Sequence, residues 1–317
     1  MPGLLEKKTI THVIIVLFIG ILWTVLVLLA RAEAATTESA LCLECHQDFS
    51  LVKINDKGEE VSLYVSKNVI DVSIHKKISC QQCHSDAGSL PHKESLKKVD
   101  CSLCHKKETV DYKESVHGAA WIRNDPDVPT CITCHGKHDI LRVRNPESIT
   151  SPQNLISVCL SCHMDTKIEE KHGLPGQQIF KAYQKSIHGK ALLSGWLLVA
   201  ASCSDCHGAH TIKGPDDPKS IVNKRNIPTV CSKCHVKAFE IYSASIHGQG
   251  LKEGIKESPV CTDCHGEHTI AKSTDPSAKV APKNIPATCS SCHEKEQIAG
   301  QYGLARKRYV TYMKSYH

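Results

Sequence analysis

The spacing of the cysteines constrains this chain more than any other feature. The 317-residue sequence contains 18 cysteines, and every one of them belongs to a Cys-x-x-Cys-His motif. No cysteine is left over. The nine motifs are Cys42/Cys45/His46, Cys80/Cys83/His84, Cys101/Cys104/His105, Cys131/Cys134/His135, Cys159/Cys162/His163, Cys203/Cys206/His207, Cys231/Cys234/His235, Cys261/Cys264/His265 and Cys289/Cys292/His293. The chain must therefore fold around whatever these side chains bind.

Covalent attachment of haem accounts for this spacing. Each of the two thiols forms a thioether with one vinyl group of the haem, and the histidine that follows becomes the proximal ligand of the iron. Zinc sites and disulfides are the alternatives. A zinc site takes four ligands from two such pairs and does not require a histidine after every second cysteine. The sequence therefore predicts nine c-type haems as cofactors.

The composition agrees with a core made of cofactor. Aromatic residues are only 5% of the chain, and the 41% hydrophobic fraction includes the cysteines and an apolar N-terminal segment. What remains is too little for an ordinary core in a chain of this size. We expect a mostly α fold with much irregular loop and haem in its interior. A small β-hairpin is expected within residues 51–69, where apolar residues partly alternate around Asp56-Lys57-Gly58.

The formal charge of +6 does not indicate a nucleic-acid partner. A haem with two ionised propionates contributes roughly −1 when ferric and roughly −2 when ferrous, so nine haems bring the protein close to neutral or make it acidic. Aromatic residues are also not interleaved with basic ones. No nucleic-acid binding is expected.

The second axial ligand decides whether each iron is open or closed. Of the 20 histidines, nine are proximal, His12 lies in the apolar N-terminal segment, and only three methionines are present. The distal candidates are His75, His92, His117, His138, His172, His188, His210, His247, His268 and His317. Iron held by two histidines has no free position for a substrate and a lower potential than iron held by histidine and methionine. This favours electron transfer over catalysis, and we expect no enzyme activity.

Several distal candidates lie in an internal repeat. The motif Tyr-x-x-Ser-x-His-Gly begins at Tyr112, Tyr183 and Tyr242, and a Cys-x-x-Cys-His-Gly-x-His segment follows it each time. Another proximal histidine comes 28 residues after the first, so each copy holds two haem motifs and two spare histidines. The predicted organisation is an N-terminal segment (1–34), a three-haem section (35–111), and copies one (112–182), two (183–241) and three (242–317).

The C-terminal residues begin a fourth copy of the tyrosine–serine–histidine motif. Tyr312, Ser315 and His317 match it, and the sequence ends there. Two interpretations of His317 remain open. It ligates a haem of this chain, in which case one of His75, His92 or His172 is not a ligand, or it serves a haem of a neighbouring subunit in an oligomer.

The N-terminal segment predicts a membrane anchor. Residues Ile10 to Ala30 carry no formal charge, and 21 residues form a helix of about 31 Å, enough to cross a bilayer. Lys7 and Lys8 precede it and favour a cytoplasmic N-terminus. We therefore expect an inner-membrane anchor with the haem domain in the periplasm. A cleaved signal peptide is the alternative, because Ala32-Glu33-Ala34 resembles a cleavage site.

Over about residues 40–317 the chain resembles the periplasmic multihaem c-type cytochromes of metal- and sulfate-reducing bacteria. Ser-x-His-Gly, Cys-x-x-Cys-His-Gly-x-His-x-Ile and Pro-His carry the resemblance. The arrangement is similar to the haem domain of inner-membrane quinone-linked cytochromes. That resemblance implies an electron conduit from a quinol-linked partner to periplasmic or extracellular acceptors. With a single predicted span, the chain needs a separate b-type or other quinone-linked membrane cytochrome as partner, and periplasmic cytochromes as further partners.

Two other functions remain open. Multihaem reductases for nitrite, hydroxylamine or tetrathionate resemble this chain but keep one haem open, often with lysine in place of the proximal histidine. No Cys-x-x-Cys-Lys motif occurs here. More loosely, the chain resembles cytochromes that polymerise into filaments and supply a histidine across subunits, an interpretation that His317 keeps open.

Overall fold

The computed structural model describes residues 20–23, 39–55, 57–174, 176–195, 197–304 and 307–315. This part of the chain is rich in short helices that irregular loops connect, with one small hairpin. The predicted fold class is therefore confirmed.

The helices are short because most of them carry a single haem motif or a single candidate distal histidine. Residues 39–46 are helical. The other helices are Lys67–Val72, Cys80–Cys83, Lys106–Lys113, Val116–Ile122, Cys131–His135, Leu155–His163, Thr166–His172, Gln177–Lys185, Ile187–Leu193, Cys203–His207, Ile227–Ser232, Val236–Ala244, Ile246–Lys252, Cys261–His265, Ile285–His293, Glu296–Gln301 and Arg308–Met313, with a 3-10 turn at Cys101–Leu103.

The predicted hairpin forms within residues 51–69, which confirms that expectation. Strands β1 (Val52–Ile54) and β2 (Glu60–Ser62) pair antiparallel, with Lys53 opposite Val61. The Asn55 side-chain oxygen accepts the N–H groups of two turn residues at 2.9 Å each, which closes the turn. The hairpin therefore closes through local hydrogen bonds, without needing a buried face.

The chain divides into two compact units. The first comprises Met1–Cys104 together with Gly136–Arg142, and the second comprises His105–His135 together with Val143–His317. In the first unit, the N–H of Ile74 donates to the carbonyl of Ile140 at 2.8 Å and joins residues 136–142 to the three-haem section.

Buried apolar side chains are few. In the part of the chain that the structure describes they are Ala87, Ile156, Leu192, Ala200, Val260, Ala278, Ala281 and Ala299. Most of these are alanines, while larger side chains such as Phe49, 78% exposed, lie at the surface of the polypeptide. This distribution is the one expected when side chains alone do not fill the interior.

No helix within the described ranges is long and apolar enough to span a bilayer. The predicted anchor at 10–30 and the predicted cleavage site at 32–34 lie outside the described residues, except for residues 20–23.

Candidate functional site

The two cysteines of a haem motif lie on one face of a short helix. The helices Cys131–His135, Cys203–His207 and Cys261–His265 each span one motif, and positions three apart in a helix share a face. In the last two, the residue between the cysteines caps the helix: Asp205 accepts the N–H of Ser202 at 2.8 Å, and Asp263 accepts that of Val260 at 2.7 Å. All 18 cysteines lie within the described residues, and none forms a disulfide. The thiols are therefore placed as pairs, as thioether attachment requires.

The burial of the cysteines on the polypeptide differs from residue to residue. Twelve of them are half-buried, but six are exposed on the polypeptide, and each exposed cysteine belongs to a different motif. The exposed ones are Cys45, Cys83, Cys104, Cys131, Cys234 and Cys289. Thioether attachment requires a thiol that the vinyl group can reach, and the flat macrocycle itself would cover the cysteines, so enclosure by other side chains is not needed.

A glycine with positive φ directly follows each of the three helices that consist of one motif alone. Gly136, Gly208 and Gly266 have φ values of 83°, 82° and 83°, which only glycine adopts without strain. The chain turns away directly after the proximal histidine. The histidine three residues further along is therefore directed to a different haem motif.

Seven proximal histidines each face a second histidine. The distances between ring centres are 5.9–6.3 Å. The pairs are His46–His92, His84–His138, His117–His163, His135–His210, His188–His235, His207–His268 and His247–His293. Two metal–nitrogen bonds of about 2 Å, with about 1 Å from each nitrogen to its ring centre, give a separation of about 6 Å. Each pair is therefore spaced to hold one iron between its rings.

The pairing follows two rules. The histidine of a Cys-x-x-Cys-His-Gly-x-His segment faces an earlier motif: His138 faces His84, His210 faces His135, and His268 faces His207. The histidine of a Tyr-x-x-Ser-x-His segment instead faces the proximal histidine that comes 46 or 47 residues later, as in His117–His163, His188–His235 and His247–His293. Most pairs thus join distant parts of the chain.

The tyrosine–serine–histidine motif forms a tight turn that presents the distal histidine. The Ser115 hydroxyl donates to the Tyr112 carbonyl at 2.6 Å and accepts the Gly118 N–H at 3.0 Å as a helix N-cap. A Cβ on Gly118 would overlap the Tyr112 carbonyl oxygen. The Tyr112 hydroxyl donates to the Pro129 carbonyl at 2.5 Å. The same contacts recur around Tyr183, Ser186 and Gly189, and around Tyr242, Ser245 and Gly248.

A backbone hydrogen bond joins the distal-histidine helices of copies one and two to the following copy. The N–H of Val116 donates to the Ile212 carbonyl at 2.8 Å, and the N–H of Ile187 donates to the Ile270 carbonyl at 2.7 Å. Both isoleucines lie two residues after the histidine of a Cys-x-x-Cys-His-Gly-x-His segment. The isoleucine of that motif therefore holds two ligand-bearing segments together.

Burial keeps most of these rings neutral. Desolvation lowers the pKa of His84, His117, His135, His138, His163, His188, His207, His247 and His265 below the usual value. A neutral imidazole has the free lone pair that a metal ion needs. The folded polypeptide therefore favours the ligating form of these side chains.

In the first pair, backbone carbonyls also orient the rings. The Nδ1–H of His46 donates to the Leu63 carbonyl at 2.8 Å, directly after strand β2, and the Nδ1–H of His92 donates to the Lys93 carbonyl at 2.8 Å. Both bonds leave Nε2 as the free ligand atom, as in other histidine metal sites. The hairpin thus positions the first proximal histidine.

His172 lies in a cluster of charged side chains. Its Nε2 is 3.1 Å from an oxygen of Asp127, its Nδ1 is 3.7 Å from an oxygen of Asp125, and Lys171 pairs with both aspartates. Among the described residues, no proximal histidine faces it. The aspartates lie 47 and 45 residues earlier in the chain, so no local pattern signalled this cluster.

His75 and His317 are the other two distal candidates. His75 belongs to the first unit, and its N–H donates to the hydroxyl of Ser73 at 3.2 Å. His317 lies outside the described residues, although Ser315 donates to the Tyr312 carbonyl at 2.6 Å, as in the complete copies. Of the proximal histidines, His265 is one that no histidine ring faces within the described chain.

One set of supporting residues escaped the sequence analysis. In each copy, an asparagine side-chain NH2 bridges two loop carbonyls five residues before the second haem motif. These residues are Asn154, Asn226 and Asn284. Their constant spacing before the cysteines was the sequence signal that could have identified them. They hold the loop from which the helix of the second motif starts.

Thiols of successive motifs lie next to each other. The thiols of Cys159 and Cys203 lie close enough to shift each other's pKa, as do those of Cys231 and Cys261. The nearby Cys231 thiol lowers the pKa of Cys261 to about 7. Neighbouring haem motifs therefore meet where the haems would be attached.

Comparison with protein families gives two matches. Residues 49–154 match the Class III cytochrome C family, and residues 198–239 match the doubled CXXCH motif. Together they include motifs from the three-haem section and from two copies of the repeat.

One curated protein provides a further match. Over 208 residues the chain is 26% identical to Multiheme cytochrome MtrA of Shewanella baltica (strain OS185), a match that covers 62% of this chain. The chain spans about half of that relative, 53% of its length. No solved structure matches. The predicted resemblance is confirmed, and this chain is a multihaem c-type cytochrome.

Proposed function

We propose that this cytochrome is an electron-transfer conduit with nine haems rather than a multihaem reductase. The proposal rests on one observation. A second histidine faces each of seven proximal histidines, at the distance between ring centres expected when both bind one iron. Iron closed on both faces exchanges electrons but offers no position to a substrate, and two histidines hold its potential low.

The ligands follow from these pairs. We propose that the two cysteines of every motif form the thioethers and that the histidine of the motif is the proximal ligand. His92, His117, His138, His188, His210, His247 and His268 supply the distal ligands of the facing irons. His75 remains a distal candidate, and His172 is proposed to be structural because its Nε2 lies 3.1 Å from Asp127 and its Nδ1 lies 3.7 Å from Asp125.

The neighbour relations support electron flow in chain order. In the first unit, burial raises the pKa of Cys83 and the nearby Cys104 thiol raises it further, which supports neighbouring positions for the second and third motifs. In the second unit, thiols of successive motifs also shift one another's pKa. The pairs include Cys134 with Cys162, Cys206 with Cys234 and Cys264 with Cys289. Because electron tunnelling weakens steeply with distance, haems attached at these positions would exchange electrons with their neighbours along the chain.

Haem counting and spin-state measurement test the proposal. The pyridine haemochrome assay should give nine haems per chain, and electron paramagnetic resonance should show seven or more low-spin irons. Stopped-flow mixing should show rapid reduction by dithionite and rapid reoxidation by a soluble c-type cytochrome. Turnover of nitrite, hydroxylamine or tetrathionate, or high-spin signals from most irons, would contradict the conduit and favour a reductase.

We further propose that residues 1–34 anchor the chain in the inner membrane and that the haems lie in the periplasm. The uncharged stretch at 10–30 and the preceding Lys7 and Lys8 support this location. The partners proposed are a quinone-linked membrane cytochrome, of b or another type, as electron donor and periplasmic cytochromes as acceptors. Recovery in membranes with intact residues 1–34, together with a b-type cytochrome, would support the proposal. A soluble chain that begins near Ala35 would contradict the anchor.

A further inference from the structure

Two buried carboxylate oxygens have no partner in the polypeptide. Within the described residues, Oδ1 of Asp86 and Oε1 of Glu169 are the buried side-chain atoms that make no hydrogen bond. Neither carboxylate forms an ion pair in this part of the chain. Burying a charge without compensation costs free energy, so a buried atom of this kind points to a redox role or to a charged group bound nearby.

Asp86 lies beside the proximal histidine of the second motif. It follows His84 by two residues, and its other oxygen, Oδ2, accepts the N–H of Lys97 at 2.7 Å, which fixes the carboxylate in place. Burial lowers the pKa of His84, and the charge of Asp86 opposes this shift. Asp48 has the same spacing in the first motif, but it is exposed and accepts hydrogen bonds from Ser50. Water therefore screens Asp48 more than it screens Asp86.

Glu169 lies beside the proximal histidine of the fifth motif. Its helix, Thr166–His172, begins three residues after His163. A Cβ on Gly176 would come within 2.7 Å of a Glu169 carboxylate oxygen, so the glycine leaves room for this carboxylate against the backbone. Burial lowers the pKa of His163, and the charge of Glu169 opposes this shift. A second proximal histidine thus has a buried carboxylate nearby.

The other two copies of the repeat carry no charge at the position of Glu169. Six residues after the second proximal histidine, copy two has Ile241 and copy three has Ala299. Ala299 is buried, with 2% of its surface exposed. An apolar side chain therefore suits this position in the repeat, so folding by itself does not account for a carboxylate there.

We propose that the buried carboxylates of Asp86 and Glu169 lower the reduction potentials of the haems that His84 and His163 ligate. The reaction concerned is the one-electron reduction of ferric to ferrous iron. Ferric iron carries one more positive charge, so a fixed negative charge nearby stabilises it relative to ferrous iron. The same positive charge would compensate the two carboxylate oxygens. This inference rests on the proposed histidine ligation of the irons.

The two haems are the second and the fifth in chain order. With lowered potentials, they would hold an electron for a smaller fraction of the time than neighbouring haems with the same ligands. The conduit would therefore have two positions of low electron occupancy, which its own side chains create.

Potentiometric titration of the full holoprotein tests the two carboxylates. Asp86→Asn and Glu169→Gln remove the charge but keep the size of the side chain. In each variant, about one ninth of the haem absorbance should titrate at a higher potential. At a fixed potential, the oxidised-to-reduced ratio of that fraction should fall about tenfold, a shift of about 59 mV for one electron. The double variant should move both haems.

Two kinds of variant control for effects other than charge. Asp48→Asn and Glu170→Gln remove exposed carboxylates and should leave the titration curve unchanged. Asp86→Glu and Glu169→Asp keep the charge and should retain the low potentials. Electron paramagnetic resonance should show every variant as low-spin as the unchanged chain, because the histidine ligands are not altered.

Three outcomes would overturn the role of the carboxylates. They are neutral variants that titrate like the unchanged chain, exposed controls that shift as far as the neutral variants, and charge-keeping variants that do so. Low-spin spectra of the unchanged chain would then leave the conduit intact. High-spin signals from most irons of the unchanged chain would instead reject the proposed ligation as a whole.

Discussion

The ring of His210 lies 5.9 Å from the ring of His135, although 75 residues separate them in the sequence. His210 belongs to copy two and His135 to copy one. A haem attached in one copy would thus be closed by a histidine of the next. Binding of this iron by both histidines would therefore also hold the two successive copies together.

The first prediction concerns this pair. His210→Met should raise the midpoint potential of the haem at Cys131 and Cys134 by on the order of 100 mV, within the range of about 0.8 V that axial ligands span. A spectroscopic redox titration measures the shift. His172→Met is the matched control, because His172 contacts aspartates, and it should leave the curve unchanged. Equal curves for both variants would reject His210 as a ligand.

The second prediction concerns the turn that presents the distal histidine. Gly118→Ala places a methyl group onto the Tyr112 carbonyl and should destabilise the holoprotein by about 1–3 kcal/mol. Gly214→Ala is the control, since a Cβ there meets no atom within 4 Å. Thermal unfolding compares the two variants. If Gly118→Ala melts at the same temperature as the control, the close approach of Gly118 to the Tyr112 carbonyl does not contribute to stability.

The third prediction is a pH dependence at the same turn. Burial raises the pKa of Tyr112 to about 12, above the value of about 10 for an unfolded chain. Between these values the folded state retains a proton that the unfolded state loses, so stability falls as the pH rises from about 10 to about 12. Tyr112→Phe should make this decline shallower and cost about 1 kcal/mol at neutral pH through the lost hydrogen bond to Pro129.

Urea unfolding measured from pH 8 to pH 11 tests the dependence on Tyr112. Tyr64→Phe serves as control, since the Tyr64 hydroxyl has no hydrogen-bond partner within the described residues. This variant should lose stability with rising pH as steeply as the unchanged chain does. If the free energy of unfolding falls with pH in parallel for Tyr112→Phe and the unchanged chain, the decline does not come from Tyr112.

The fourth prediction concerns the chain before haem is attached. Five of its eight buried apolar residues are alanines in the described part of the chain, so side chains alone bury little surface. Since haem would supply both the missing core and the links between copies, the haem-free chain should be largely unfolded. Circular dichroism of protein made without the attachment machinery measures this. A compact haem-free form with the helix content of the holoprotein would contradict the prediction.

Features with a local cause were predictable from the sequence. The haem motif needs only adjacent residues, because both thiols and the proximal histidine lie on one short helix, as in Cys203–His207. The hairpin within 51–69 closes through Asn55 and its immediate neighbours. The periodic histidines pointed to a second ligand for most irons. The haem motifs and the hairpin do not depend on distant parts of the chain.

The burial of each cysteine was not predictable in the same way. Cys45 and Cys234 are exposed, whereas Cys42 and Cys231, their partners in the same motifs, are half-buried. The two cysteines of a motif have the same local pattern, so the difference comes from what the rest of the chain packs against each of them.

The tertiary structure decided which histidine faces which. His138 and His210 stand in identical motifs, yet each faces a motif from a different part of the chain. The sequence does not separate His172 from the other candidates, and only the fold brings two distant aspartates beside it. Local sequence determines which side chains can bind iron, but two rings share an iron only when the folded backbone holds them about 6 Å apart.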